Sequence, residues 1–229
     1  MSTETPPAAT EPNFSSKLQI LATEHWSILA TRTLTYNESL SRVNIFLAVL
    51  SGAVIALALV AQADHFGAAF ISIAIPVLFI VLFTGVATIA RLTRLNQDDY
   101  RWVIAMNRLR HGYLQLHPDL EQNFTTSQYD DLRGGLLTLG IDDPGAGRSL
   151  SSVLHLPQTL PGMLTVIVAA VGGAITALVA LAFGVPSAGV AVAAAAGFVL
   201  VLVLMAVSER GAYSRTPPSL QSRFPAPHA

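Results

Sequence analysis

Four stretches of the chain, 43–62, 67–90, 163–183 and 187–207, are predominantly apolar and contain no Asp, Glu, Lys, Arg or His. Each is close to the roughly 20 residues that a helix needs to cross the hydrocarbon of a bilayer. A charged side chain at the bilayer centre costs on the order of 2.5–3.5 kcal/mol on insertion scales, so charge-free runs of this length predict four transmembrane helices. Ala63-Asp64-His65-Phe66 joins the first pair and Gly184-Val185-Pro186 the second. Connections this short join antiparallel neighbours, so the expected fold is all-α, an integral membrane protein with its spans in two hairpins.

The apolar pattern does not stop where the first hairpin ends. Positions alternating by four and three run through Ala22, Trp26, Leu29, Thr33, Tyr36, Leu40, Val43, Leu47, Leu50, Val54 and Leu57, crossing into the first span without a break in phase. With no Pro or Gly between Lys17 and Ser51, and with Ser15 or Ser16 as N-cap, this predicts one helix of about 70 Å at 1.5 Å per residue. Beyond the second span a heptad seam continues through Leu92, Leu95, Asp99, Trp102, Met106, Leu109, Tyr113 and Leu116, with Asp99 as its polar intruder and Pro118 as its stop. Such a seam in water needs a cover. The lead helix of the same chain can supply it, or a coiled coil with another subunit, which makes Leu92, Leu95, Trp102, Met106, Leu109 and Tyr113 a candidate oligomerisation seam.

Periodicity fades over 117–160, where Gly134-Gly135, Gly140, Asp142-Asp143-Pro144-Gly145 and Gly147 gather, and a linker with one short helix near 127–137 is expected. Pro6, Pro7 and Pro12 at one end and Pro217, Pro218, Pro225 and Pro227 at the other predict disordered tails over 1–14 and 209–229. The expected organisation is therefore a tail at 1–14, a lead helix, first hairpin and return helix over 15–116, a linker at 117–160, a second hairpin at 161–208 and a tail at 209–229.

Charge adds an orientation. The thirteen Lys and Arg residues all lie outside the four stretches, and neither short connection carries one. Cytoplasmic loops collect positive charge, which places both termini and the linker in the cytoplasm of a multi-pass cell-membrane protein. The polar, acidic opening is unlike a signal peptide, so the first span is retained. Twelve arginines to one lysine, with abundant Ala and Val, read as a bacterial protein from a GC-rich genome. A hydrophobic fraction of 52%, 12% charged residues and a mean hydropathy of +0.54 fit the membrane class. A net charge of -1 offers no field for nucleic acid, and the absence of cysteine excludes disulfides, iron–sulfur clusters and thiolate zinc sites.

Candidate chemistry is sparse. One face of the first helix carries Asn37, Ser41, Asn44, Ser51 and Gln62, interleaved with Ala48, Ile55 and Ala58. Such a face either hydrogen-bonds a neighbouring helix, the commoner use, or lines a pore. Pro76 frees the carbonyl of Ser72 in the second span, a kink more often structural than a hinge. Ala169, Gly173 and Ala177 form small-xxx-small pairs that suit close packing of the last two spans. His117, Asp119, Glu121, Asp130, Asp131, Asp142, Asp143 and His155 lack metal-site spacing and read as a solvated acidic surface, and the run from Gly145 to Ser149 lacks the lysine of a phosphate loop. Arg91, Arg94, Arg101, Arg108 and Arg110 orient the hairpin and could also hold anionic lipid.

The spans offer only hydroxyls and amides, which argues against an enzyme or a proton-coupled transporter. No catalytic residue, cofactor or metal is expected. Two functions remain: a non-enzymatic assembly or scaffold component working through its cytoplasmic helices, or an oligomeric channel lined by the polar face of the first helix. Expected partners are the lipid bilayer, further copies of the chain and a cytoplasmic protein, with no nucleic acid. Over 15–116 the arrangement is similar to small two-span bacterial effector modules proposed to form pores; the added hairpin departs from it and no residue role is carried across. The native chain has no thiol, so single-cysteine variants report the orientation directly. An impermeant thiol reagent on intact cells is expected to label Ala63→Cys and Ser187→Cys and to spare Ser214→Cys; the reverse pattern contradicts the charge argument.

Overall fold

The computed structural model describes residues 11–140, 160–213 and 220–227. Every regular element among them is helical: α1 (Glu11–Asp64), α2 (Ala68–Leu116), a 3-10 turn (Pro118–Asn123), α3 (Leu132–Thr138), α4 (Leu160–Ala182) and α5 (Ser187–Tyr213). Four of them, α1, α2, α4 and α5, are long and apolar enough to cross a membrane. The turn at 142–145, the glycine-rich run at 145–149, His155 and the first ten residues of the N-terminal tail lie outside the described residues. The chain divides into two compact units. Met1–Thr35, Gln97–Gly147 and Pro217–Ala229 form a polar unit, and Tyr36–Asn96 with Arg148–Thr216 form an apolar one.

The core of the apolar unit takes Val43 and Phe46 from α1, Leu78, Val81, Ile89, Leu92 and Leu95 from α2, and Leu164, Val168, Val171 and Ile175 from α4. Gly85 is a point where the three helices come close together. A Cβ there would stand 2.5 Å from Val168 Cγ2 and 2.9 Å from Phe46 Cε2, so α2 approaches both neighbours because this position has no side chain. The small residues of α4 and α5 work the same way. A Cβ on Gly173 would lie 2.8 Å from the Ala194 carbonyl oxygen, and the Thr176 hydroxyl donates across to the Ala193 carbonyl at 2.8 Å. At the end of α1, Asp64 Oδ2 accepts the N–H of Phe70 at 2.7 Å and so caps the start of α2, while His65 and Phe66 turn the chain in the left-handed region at φ 48° and 61°. Pro76 sits inside α2 without ending it.

Many large apolar side chains of this unit point outward, among them Leu59, Phe79, Ile80, Phe83, Val192, Leu200 and Leu204. Lipid tails are as apolar as leucine, so a hydrocarbon surround imposes no cost on that exposure.

Three expectations are corrected. First, α1 starts at Glu11, a turn ahead of the anticipated serine cap. Second, past Ala22 its core-facing line in the polar unit is not Trp26, Leu29 and Thr33 but His25, Ile28 and Arg32, one residue earlier in phase. The line includes polar residues, Arg32 paired with Asp99 of α2 and the His25 ring beside that of Tyr113, and a count of apolar positions alone steps past it. Third, residues 220–227 are held within the polar unit by a hydrogen-bonded carboxylate, not disordered. The short helix expected near 127–137 is α3, and Gly134-Gly135 lie inside it. A Cβ on Gly135 would come within 2.9 Å of the Tyr100 ring, so α3 too is drawn in by missing side chains.

Replacing Gly85 by valine overfills the α1–α2–α4 contact. The expected cost is about 1–3 kcal/mol, seen as a lower thermal unfolding midpoint of the detergent-solubilised protein, whereas Gly52→Val, at a position with nothing within 4 Å, leaves it in place.

Candidate functional site

The densest polar arrangement lies in the polar unit around Asp130, which is 1% exposed. Its carboxylate accepts the Ser222 hydroxyl at 2.6 Å, the backbone N–H of Arg223 at 2.9 and 3.0 Å, the N–H of Phe224 at 2.8 Å and the Nε of Arg108 at 2.7 Å. In return the Asp130 N–H donates to the Phe224 carbonyl at 3.2 Å, and Arg108 Nη2 donates to the Gln221 carbonyl at 2.8 Å. Asp131 extends the contact: one oxygen caps α3 through the Gly134 N–H at 2.7 Å, the other accepts Ala226 N–H at 3.1 Å. Phe224 stacks on His111, with ring centroids 4.1 Å apart and planes at 22°. Burial alone would raise the Asp130 pKa. The bonds from Ser222, Arg223, Arg108 and Phe224 outweigh that and hold the carboxyl well below the usual range.

Next to Arg108 on α2, Asn107 is fully buried and spends both ends of its amide. Its nitrogen donates to the Tyr129 and Gly134 carbonyls at 2.8 and 3.2 Å; its oxygen accepts from Arg110 Nη1 at 2.7 Å and the Thr138 hydroxyl at 2.9 Å. It thereby ties α3 and the preceding loop to α2.

Between α1 and α2, Arg32 grips Asp99 by two bonds, Nε to Oδ1 at 2.7 Å and Nη2 to Oδ2 at 3.0 Å, and its Nη1 rests 3.8 Å from Met106 Sδ. In the apolar unit Arg91 holds Glu38 in the same way at 2.9 and 3.0 Å, while Arg42 joins from one turn along α1 at 2.8 Å. Hydrogen bonds from Arg91 and then Arg42 bring the Glu38 pKa down to about 2.

Of the sequence-predicted residues, Asn37, Ser41, Asn44, Ser51 and Gln62 are all exposed on the chain. Of the candidate seam, Leu92, Leu95 and Met106 are buried within the chain, and Trp102, Leu109 and Tyr113 are half-buried. Leu92 and Leu95 join the apolar core, and Tyr113 faces the His25 ring at 6.0 Å. The uncovered line is instead on α1, where Leu18, Trp26, Leu29 and Tyr36 are exposed, Trp26 to 70%. Asp130 and Asp131, read from sequence as a solvated acidic surface, serve as acceptors for 222–226. Asn107 carried no signal in the sequence, since a polar residue next to Met106 on an amphipathic helix reads as surface. Among the described residues no three His, Asp or Glu side chains gather as metal ligands would. No family model matches the chain, and neither does a curated protein or a solved structure.

Asp130→Asn removes the charge that four donors converge on. Bonds to charged groups are worth ~1.5–3 kcal/mol, so amide protection of Arg223 and Phe224 in hydrogen exchange is expected to fall by about ten- to a hundred-fold. Because the carboxyl is depressed in the folded chain, its contribution is complete above the ordinary aspartate value near pH ~4 and fades as pH drops below it. Exchange at these two amides, compared between wild type and variant from pH 7 to pH 3, checks both statements.

Proposed function

We propose that the chain is a non-enzymatic, multi-pass component of a bacterial cytoplasmic membrane that assembles with copies of itself through the exposed face of α1. The carrying observation is the line Leu18, Trp26, Leu29 and Tyr36, which repeats at helix-seam spacing outside the apolar stretches and is left uncovered by the described residues of its own chain. Burying one such side chain is worth ~1.5–3 kcal/mol. A seam of four satisfies itself against a second copy, as in a coiled coil.

Two contacts support paired crossings with both termini on one side. Arg32 and Asp99 flank the first two apolar stretches in sequence, and Asp130 and Ser222 flank the other two. Groups that touch share one side of a membrane. The bias of all Lys and Arg toward that same side supports its being the cytoplasm. A cytoplasmic protein is the natural second partner for a face of this kind.

A channel is the second reading, favoured by one observation: Asn37, Ser41, Asn44, Ser51 and Gln62 all face away from the chain's own core. A few copies turned inward would line a path with amides and hydroxyls. In that case Asn44→Leu lowers liposome conductance without changing the oligomer.

The test of self-assembly is cross-linking. Oxidised membranes carrying Trp26→Cys are expected to give disulfide-linked dimers, and Ser27→Cys, exposed but a hundred degrees around the helix, is expected to give none. The double variant Trp26→Glu, Leu29→Glu should raise the dissociation constant in detergent at least about ten-fold, read as a shift toward monomer mass in light scattering. A wild-type chain that is monomeric in detergent and uncross-linked at position 26 removes the proposal.

A further inference from the structure

The five arginines of α2 meet different fates. Arg101 is taken by Asp98 at 2.9 Å and Arg108 by the buried Asp130 at 2.7 Å, while Arg110 is itself buried and donates to Asn107. Arg91 grips both oxygens of Glu38. Arg94 is exposed and, among the described residues, makes no hydrogen bond or ion pair. Three residues from Arg91, it is that residue's neighbour on the helix surface.

Arg42 joins the same group from α1. Its Nε and that of Arg91 donate to one oxygen, Glu38 Oε1, at 2.8 and 2.9 Å, so two guanidinium groups share a single carboxylate. That bond occupies only the Nε of Arg42. The paired Nη1 and Nη2 end is unspent, on a side chain that is 46% exposed. Arg42, Arg91 and Arg94 thus set three positive charges against the one negative charge of Glu38, and the next carboxylates along α2, Asp98 and Asp99, are held by Arg101 and Arg32. Two positive charges are left over on an open surface.

What lies next to them is apolar. Arg42 directly precedes the stretch 43–62 and Arg91 directly follows 67–90, so the cluster stands at the end of two spans. An exposed line runs from Arg42 through Ile45, Val49 and Gly52 at steps of three and four, and another from Arg94 through Ala90, Ala87 and Phe83. Ile45 and Phe83 are among the most open apolar side chains of the unit, at 62% and 71%.

We propose that this cluster binds an anionic phospholipid, its phosphate on the Nη end of Arg42 beside the Arg91–Glu38 pair, with Arg94 completing the positive surround and the acyl chains lying along the exposed apolar lines. The two parallel N–H groups of a guanidinium end match two phosphate oxygens. A zwitterionic lipid brings its own cation and leaves the surplus in place, and a free anion has no apolar body to cover Ile45 or Phe83. The inference requires the first hairpin to cross a bilayer and does not rest on self-assembly.

The experiment uses the full chain in a mild non-ionic detergent, titrated with phosphatidylglycerol, phosphatidylcholine or inorganic phosphate, with bound lipids counted per chain by native mass spectrometry. A monomer answers as well as an oligomer. The wild type is expected to take phosphatidylglycerol at one saturable site, at least about ten-fold more tightly than phosphatidylcholine. The double variant Arg42→Gln, Arg94→Gln is expected to lose that preference, and Arg101→Gln, whose charge is already paired, to keep it. Arg94→Gln alone, which removes no contact within the described chain, is expected to weaken phosphatidylglycerol several-fold and to leave the thermal midpoint in phosphatidylcholine unchanged. Equal binding of the two lipids by the wild type overturns the proposal, as does a double variant that binds like the wild type. So does a loss in Arg101→Gln as large as in the double variant, which would mean diffuse attraction without a site, or inorganic phosphate binding as tightly as the lipid.

Discussion

Arg32 and Asp99 set the register of the two longest helices. An apolar seam of Leu and Ile can slide by a turn or a heptad and still bury similar area, so hydrophobic contact alone leaves several alignments nearly equal. A bidentate guanidinium–carboxylate pair does not slide. With side chains 28% and 31% exposed, the pair contributes little net stability, yet any shift strands two charges in a half-buried seam. What depends on this register is specific. It places Met106 under Arg32 and Tyr113 beside His25, and it fixes which side of α2 is left for Asn107 and Arg108 to collect α3 and the 220–227 segment.

The polar unit then closes by convergence on very few side chains. Asp130 and Asn107 are each surrounded by donors or acceptors from segments far apart in sequence, and both are buried with nearly every lone pair and proton used. Such networks define a single arrangement because a partly filled one is worse than none. The apolar unit reaches the same end by a different route. Gly85, Gly173 and Gly197 let helix backbones and short side chains approach, and dispersion between close surfaces does the work that water expulsion does elsewhere.

The four long helices were legible because freedom from charge over twenty residues is a property of composition and survives any error of phase. The cover of α2 was legible only as one of two choices: the Leu92–Tyr113 pattern asked for a cover that a second subunit could supply as well as the lead helix, and Asp99 stood in it as a polar intruder whose partner, Arg32, only the structure names. The seam of α1 was not. Its covered positions include the buried Ser39 and the half-buried His25, Arg32 and Thr35, and only a partner helix tells a covered polar residue from a surface one. Residues 220–227 were missed for a related reason: Pro225 and Pro227 suggest disorder by composition, whereas the segment is fixed through backbone N–H groups, which any sequence possesses, by an aspartate some ninety positions earlier.

The two tryptophans of the chain sit in contrasting surroundings, Trp26 open on α1 and Trp102 half-covered on α2. Indole emission moves to the blue as water is withdrawn from the ring. The chain therefore carries a native optical reporter on the very face that is left uncovered. A blue shift with rising concentration, and loss of quenching by iodide, would come from position 26, while position 102 supplies a steady background.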